Sequence, residues 1–315
     1  MSLPPNDDTF LKIFIKHQLR PNPKPAHGPI SVAQKTAVIT GGNTGLGLES
    51  GRILLSLQLS HLILAVRSVG KGEEAATSLR KLYPKAKIDV WQLDLDSYES
   101  IRAFARKCKT LPHLDIAILS AGIWNVEFRA NPTTGHEENF QINYLSTALL
   151  ALLLLPSLKT SSGAPGRMTL VASGAALIAE FSERDEVPLI PAFDKKEGWN
   201  SAVAKKRYDT SKGLVLILAY QLSKITKAED TVINVVDPSF TPGTSFFRDL
   251  PLLMRIFTWP LTKLAGTSVN NAGWRYVDAA VVRGKESHGS FLSDWEINPY
   301  VSHFKISSCP SSCSA

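Results

Sequence analysis

The sequence predicts an α/β protein: one doubly wound parallel sheet of about seven strands, with helices on both faces, in a single domain. Three observations predict it. From Lys35 onward, short β-branched runs that are nearly all apolar alternate with longer helical patterns, as strands buried on both faces require. Helices of adequate length fit between the first six runs, which is the βαβα alternation of a parallel sheet. The first run passes straight into "TGGNTGLG", Thr40 to Gly47, where a glycine-rich turn opens a helix.

The elements follow in order. Residues 1–34 hold an amphipathic stretch, "TFLKIFIKHQLR", and a proline-rich linker, "RPNPKPAHGP". Phe10, Leu11, Phe14 and Ile15 share one helical face, with Lys12 and Lys16 off it, so that face either docks on the domain or touches a membrane surface. Residues 35–298 form the domain, with strands expected at "TAVIT", "HLILAV", "KIDVWQL", "LDIAILS", "RMTLVAS", "TVINVV" and "GSFLSD". The apolar run Ala148 to Leu158 stops at a proline, short of a bilayer span, and reads as the buried end of a core helix. Residues 299–315 form a serine-rich tail of disordered composition.

Composition narrows the class. The chain has 315 residues, 44% hydrophobic and 20% charged, with a formal net charge of +7, ordinary for a globular protein with a real core. The basic residues are scattered, which favours an anionic cofactor over nucleic acid. Cys108, Cys309 and Cys313 are an odd, sparse set that argues against a disulfide framework and for a reducing compartment. No metal site is expected. The polar first residues show no secretory signal, so the expected location is cytoplasmic, with peripheral membrane contact left open by the two apolar segments.

Glycines after a first strand let the backbone turn sharply and approach a pyrophosphate at a helix N-terminus. The segment has the form Thr-Gly-x-x-x-Gly-x-Gly and resembles the cofactor loop of the short-chain dehydrogenase/reductase family, a Rossmann-fold family. The later motifs keep the family's order over residues 35 to about 295. This resemblance implies that Gly41, Asn43, Thr44, Gly45, Leu46 and Gly47 cradle the cofactor phosphates. Arg67 ends the second strand, twenty positions after Gly47. An acidic residue there would accept from the ribose 2′-hydroxyl of NAD, whereas an arginine, assisted by Lys71, pairs with the 2′-phosphate of NADP. NADP is therefore the expected cofactor. Asp94 and Leu95 correspond to the adenine-edge position, and Ser120, Ala121 and Gly122 to the family's Asn-Ala-Gly turn. Ser120 replaces an asparagine there and loses an amide. Ser239 and Thr241 follow the sixth strand, where the family commonly has Pro-Gly. Here Pro238 is followed by Ser239, so Thr241 or Thr244 is expected to contact the nicotinamide carboxamide.

Asn143, Ser173, Tyr208 and Lys212 then fall in the family's catalytic order. Moving a hydride to or from a carbonyl requires a proton at the carbonyl oxygen. Tyr208 would supply it, and Lys212, one helical turn on, would favour the phenolate and hold the nicotinamide ribose. Ser173 would bind the substrate oxygen, and Asn143 would support a proton relay through water.

Ser173 and Tyr208 are 35 positions apart, an enlarged connection at the substrate side. The apolar stretch Phe246 to Leu264 is either a lid or a buried helix pair. The overall pattern most resembles fungal and retinol-dehydrogenase-like members. The expected function is NADP-dependent interconversion of a carbonyl and an alcohol on an apolar small molecule of secondary-metabolite, retinoid or steroid type. The family often forms homodimers or homotetramers. A cofactor binder that has lost turnover is the alternative, motivated by Ser120, Ser239 and the short carboxyl end. A methyltransferase is a remote third reading.

Overall fold

A computed structural model of the chain describes residues 28–158, 164–242 and 266–298. The strands are β1 (Thr36–Thr40), β2 (His61–Val66), β3 (Lys87–Gln92), β4 (Ile116–Leu119), β5 (Gly166–Val171), β6 (Thr231–Val236), β7 (Ser290–Ser293) and β8 (Glu296–Asn298). The helices are α1 (Gly45–Ser56), α2 (Val69–Leu82), α3 (Tyr98–Cys108), α4 (Glu138–Leu158), α5 (Ser201–Ile225) and α6 (Val269–Val277). The sheet order is β3-β2-β1-β4-β5-β6-β7-β8. Strand order reverses between β1 and β4, which opens a crevice at the carboxyl ends of the strands.

Alternation along each strand makes two cores, because successive side chains point to opposite faces. Val38 of β1 packs with Phe104 of α3, Leu154 of α4 and Leu216 of α5. Its neighbours Ala37 and Ile39 pack with Leu54 of α1, Leu79 of α2 and Val277 of α6.

The first seven strands are parallel and coincide with the seven apolar runs. An eighth, β8, runs antiparallel to β7. The seven-strand expectation missed it because Asp294-Trp295 does not look like a hairpin turn. Both residues are nevertheless left-handed, at φ 52° and 70°, as a tight two-residue turn demands. The Arg283 guanidinium donates to the Trp295 carbonyl, and the Arg275 guanidinium lies 5.4 Å from the Trp295 ring centroid.

α4 is longer than the sequence suggests. Pro156 lies inside it, and a π-helical turn, Gln141–Ser146, joins its first turn to the rest. By length and composition alone α4 could cross a bilayer. Leu150, Leu154 and Leu158 are instead buried against the sheet, which bears out the core-helix reading.

The enlarged connection between β5 and α5 forms a wall at the substrate end. Phe193 stacks on Phe140 with centroids 4.0 Å apart, and Trp199 donates to the Val126 carbonyl at 2.9 Å. The amphipathic N-terminal stretch, the linker, Thr244, the stretch Phe246 to Leu264, and the tail with Cys309 and Cys313 lie outside the described residues.

Candidate active site

The crevice is a cleft of about 1040 Å³. α1 begins at its floor with no side-chain cap and no acidic residue in its first turn, so its free N–H groups and positive dipole end face the cleft. Gly45 has φ 56°, and a Cβ on Gly47 would lie 2.7 Å from the Gly41 carbonyl oxygen. The backbone can make this turn only because those side chains are missing. Gly41, Asn43, Thr44 and Leu46 line the same cradle. Arg67 and Lys71 line the far end, both exposed, where β2 hands over to α2. A bare helix N-terminus with two cations beyond it fits a multiply charged dinucleotide phosphate.

Asp94, Leu95, Ser120, Ala121 and Gly122 also line the cleft, as do Ser239 and Thr241. The two departures from the family pattern are both accommodated. Ser120 lies beside the buried Tyr276, whose phenol its hydroxyl holds down against the effect of burial. Ser239 adopts φ 61°, a left-handed conformation that glycine reaches without cost. Its hydroxyl accepts from the Arg275 guanidinium, and its N–H donates to Asp237 Oδ1 at 3.0 Å. Thr241 Oγ1 donates to the Ser239 carbonyl at 3.1 Å.

At the catalytic-candidate end, Ser173 and Tyr208 both line the cleft, and the Ser173 hydroxyl lowers the proton affinity of the Tyr208 phenol against the effect of burial. Ser173 Oγ accepts from Ala175 N at 3.2 Å, which fixes it at the end of β5. Lys212 Nζ donates to the Val171 carbonyl at 3.1 Å and lies 5.9 Å from the Tyr208 ring centroid. Asn143 stands behind the wall rather than in the cleft. Its Oδ1 accepts from Ile123 N at 2.8 Å, and its Nδ2 donates to the Ile123 carbonyl at 2.9 Å and to Ser211 Oγ at 3.2 Å. It meets Lys212 across Gly122, where an added Cβ would lie 3.1 Å from Asn143 Oδ1 and 3.2 Å from Lys212 Nζ.

Burial works against one electrostatic expectation. The sequence argument had Lys212 favouring the Tyr208 phenolate. In the structure burial dominates, and Asp209, Asp237 and Tyr276 add to it, so the phenol is pushed up despite the Ser173 hydroxyl. Lys212 is itself pushed down by burial, to about 8. Both groups lose water that would stabilise their charged forms.

Sequence reasoning missed several residues of this cleft, among them Trp124, which stacks on Tyr208, and Asp237, Tyr276 and Ser293, which line it. Asp237 ends β6, and its place at a carboxyl strand end was a usable signal. Tyr276 and Ser293 carried none.

A doubly wound sheet whose strand ends carry a glycine cradle beside a Ser–Tyr–Lys constellation defines a dinucleotide-dependent oxidoreductase of the Rossmann type. A profile of the family described as short chain dehydrogenase matches residues 35–183. The chain is 46% identical over 302 residues to the short chain dehydrogenase/reductase mfmJ of Annulohypoxylon moriforme, covering 95% of this chain and 87% of that one. It is 40% identical over 284 residues to the short chain dehydrogenase virL of Hypocrea virens, covering 88% and 81%. The chain belongs to the short-chain dehydrogenase/reductase family of oxidoreductases. Solved structures share the fold at low identity. The NADP active-site complex of Pseudomonas aeruginosa RhlG superposes with TM-score 0.61 at 21% identity, over 85% of this chain and 97% of that one. The NADPH-dependent 3-quinuclidinone reductase of Rhodotorula rubra gives 0.63 at 19%, over 87% and 95%.

Proposed function

We propose that the protein interconverts a carbonyl and an alcohol on an apolar small molecule, using NADP, with Tyr208 as the proton donor and acceptor. One observation carries this reading: the Ser173–Tyr208 hydroxyl pair, with Lys212 beside it, opens on the same cleft whose other end holds Arg67 and Lys71. The Pseudomonas and Rhodotorula proteins, named for NADP and NADPH, support the choice of cofactor by analogy of fold alone.

The nicotinamide supplies or removes a hydride. The chain's own residues do the rest. Ser173 binds the substrate oxygen, Tyr208 passes a proton to it, and Lys212 holds a positive charge beneath the ring. Asn143 secures the Ile123 turn and Ser211, and so fixes the face of α5 that carries Tyr208 and Lys212. The accommodation of Ser120 and Ser239 argues against a binder that has lost turnover. Trp124 and Ile178, which line the cleft, suit an apolar substrate.

The test is a titration with NADPH and NADH, followed by nicotinamide fluorescence, on wild type, Arg67→Ala and Tyr208→Phe. NADPH should bind far more tightly than NADH, and Arg67→Ala should lose about 10–100-fold of that affinity, the worth of a hydrogen bond to a charged group. Tyr208→Phe should keep NADPH affinity and lose about 10²–10⁴ in turnover of apolar ketones. Equal binding of the two cofactors would refute the Arg67 assignment.

A further inference from the structure

Asp237 is a buried carboxylate that the proton-transfer chemistry does not use. It is 3% exposed at the carboxyl end of β6 and lines the cleft. Both its oxygens accept: Oδ1 from Ser239 N at 3.0 Å and Oδ2 from Ser293 Oγ at 3.1 Å. Oδ2 would lie 3.4 Å from a Cβ placed on Gly174, the residue next to Ser173, so the carboxylate stands in the same wall as the Ser173–Tyr208 pair. Its charge is felt there, since it raises the proton affinity of Tyr208 and of Tyr276.

Asp237 makes no ion pair among the described residues. Arg275, a guanidinium that feels its charge, is committed to Ser239 and, at 3.0 Å, to Asp294. Lys212 is held on the Val171 carbonyl. Arg275 thus feels two carboxylates, Asp237 and Asp294, and makes its direct contact with the second.

We infer that Asp237 sets the redox preference of the site: its carboxylate favours the oxidised, cationic nicotinamide over the reduced, neutral one and so biases the enzyme toward carbonyl reduction. This inference rests on the proposed NADP-dependent reading. In the favoured direction the carbonyl carbon gains the hydride and its oxygen takes the Tyr208 proton. The oxidised cofactor, when bound, would carry the positive charge that the Asp237 carboxylate favours. The Ser293 hydroxyl and the Ser239 N–H hold the carboxylate in place.

The experiment is to measure dissociation constants for NADP⁺ and NADPH separately, on wild type, Asp237→Asn and Asp237→Ser. A unit charge acting across a few ångströms in a partly screened site predicts that removing it raises the ratio Kd(NADP⁺)/Kd(NADPH) about tenfold. That corresponds to about 30 mV in the potential of the bound two-electron couple. Asp237→Ser keeps a hydrogen-bonding oxygen without the charge and should show the same shift. A ratio that moves less than about twofold in a variant retaining native circular dichroism overturns the inference. If neither variant folds, the wild type decides. Tighter binding of NADP⁺ than of NADPH supports the inference, and the reverse order overturns it. Failure of wild type to bind either form would instead overturn the NADP reading on which it stands.

Discussion

The indole of Trp124 lies stacked on the phenol ring of Tyr208, with centroids 5.6 Å apart and planes inclined by 29°. The two residues come from opposite sides of the cleft, one from the turn after β4 and the other from α5. An offset aromatic pair of this kind is worth about 0.5–1.5 kcal/mol beyond its buried area. Here it fixes the orientation of the ring that carries the Tyr208 hydroxyl, the proposed proton donor.

Trp124→Ala should therefore lower turnover about tenfold, by releasing the phenol from its place against Ser173, a loss of roughly 1.4 kcal/mol. Cofactor affinity should change less than about twofold. Trp124→Phe, which keeps a stacking face, should recover most of the rate. Steady-state kinetics beside a fluorescence titration would separate the two effects, and a change confined to cofactor binding would refute this role.

Lys212 predicts the alkaline limb of the pH profile. Burial brings its ammonium down from the ordinary 10.5 to about 8, so the charged form is lost as pH rises through about 8. Turnover should fall above about pH 8, whereas a solvated lysine would hold its charge until about pH 10. The sign for stability is opposite. The folded state binds this proton less tightly than the unfolded state, so the buried charge opposes folding below about pH 8, and the opposition fades between about 8 and 10.5. Lys212→Met should accordingly abolish turnover and raise the melting temperature at pH 7, a stability gain on the order of 1–2 kcal/mol. Activity against pH and thermal unfolding check the two signs independently.

Arg207 anchors the enlarged wall. Its Nη1 donates to Glu183 Oε1 at 3.0 Å, its Nε stands 4.0 Å from Glu137 Oε2, and its guanidinium lies 4.5 Å from the Phe193 ring centroid. Glu137 is fully buried, and burial pushes its carboxyl up even though the Asn139 and Phe140 N–H groups and Arg207 oppose this. Arg207→Met would strand that carboxylate, at a cost of about 3 kcal/mol, and loosen the segment between Gly174 and Asn200. Faster limited proteolysis within that segment and a lower melting temperature are expected, with partial recovery in the Arg207→Met, Glu137→Gln double variant. Unchanged proteolysis would show that Arg207 does not hold the wall.

The strands were legible because burial on both faces of a parallel sheet leaves continuous apolar runs, and all seven runs became strands. The glycine cradle was legible because a turn of that shape excludes side chains at set spacings. Ser173, Tyr208 and Lys212 were legible through their order and through the one-turn spacing of the last two. β8 was hidden, since three residues and an Asp-Trp turn leave no pattern. The partners of Ser120 and Ser239 were hidden too. Tyr276 and Arg275 come from α6, and nothing local ties them to β4 or β6.

What the sequence by itself determined is therefore local and periodic: the alternation of strand and helix, the bare N-terminus of α1, the cations after β2, and the spacing of the reactive side chains. What only the tertiary structure decided is the electrostatics of the reactive end. Proton affinity there depends on how much water each group loses and which charges end up beside it. Those neighbours, Asp237 and Trp124 among them, are brought to Tyr208 by the winding of the sheet from positions far apart in the chain.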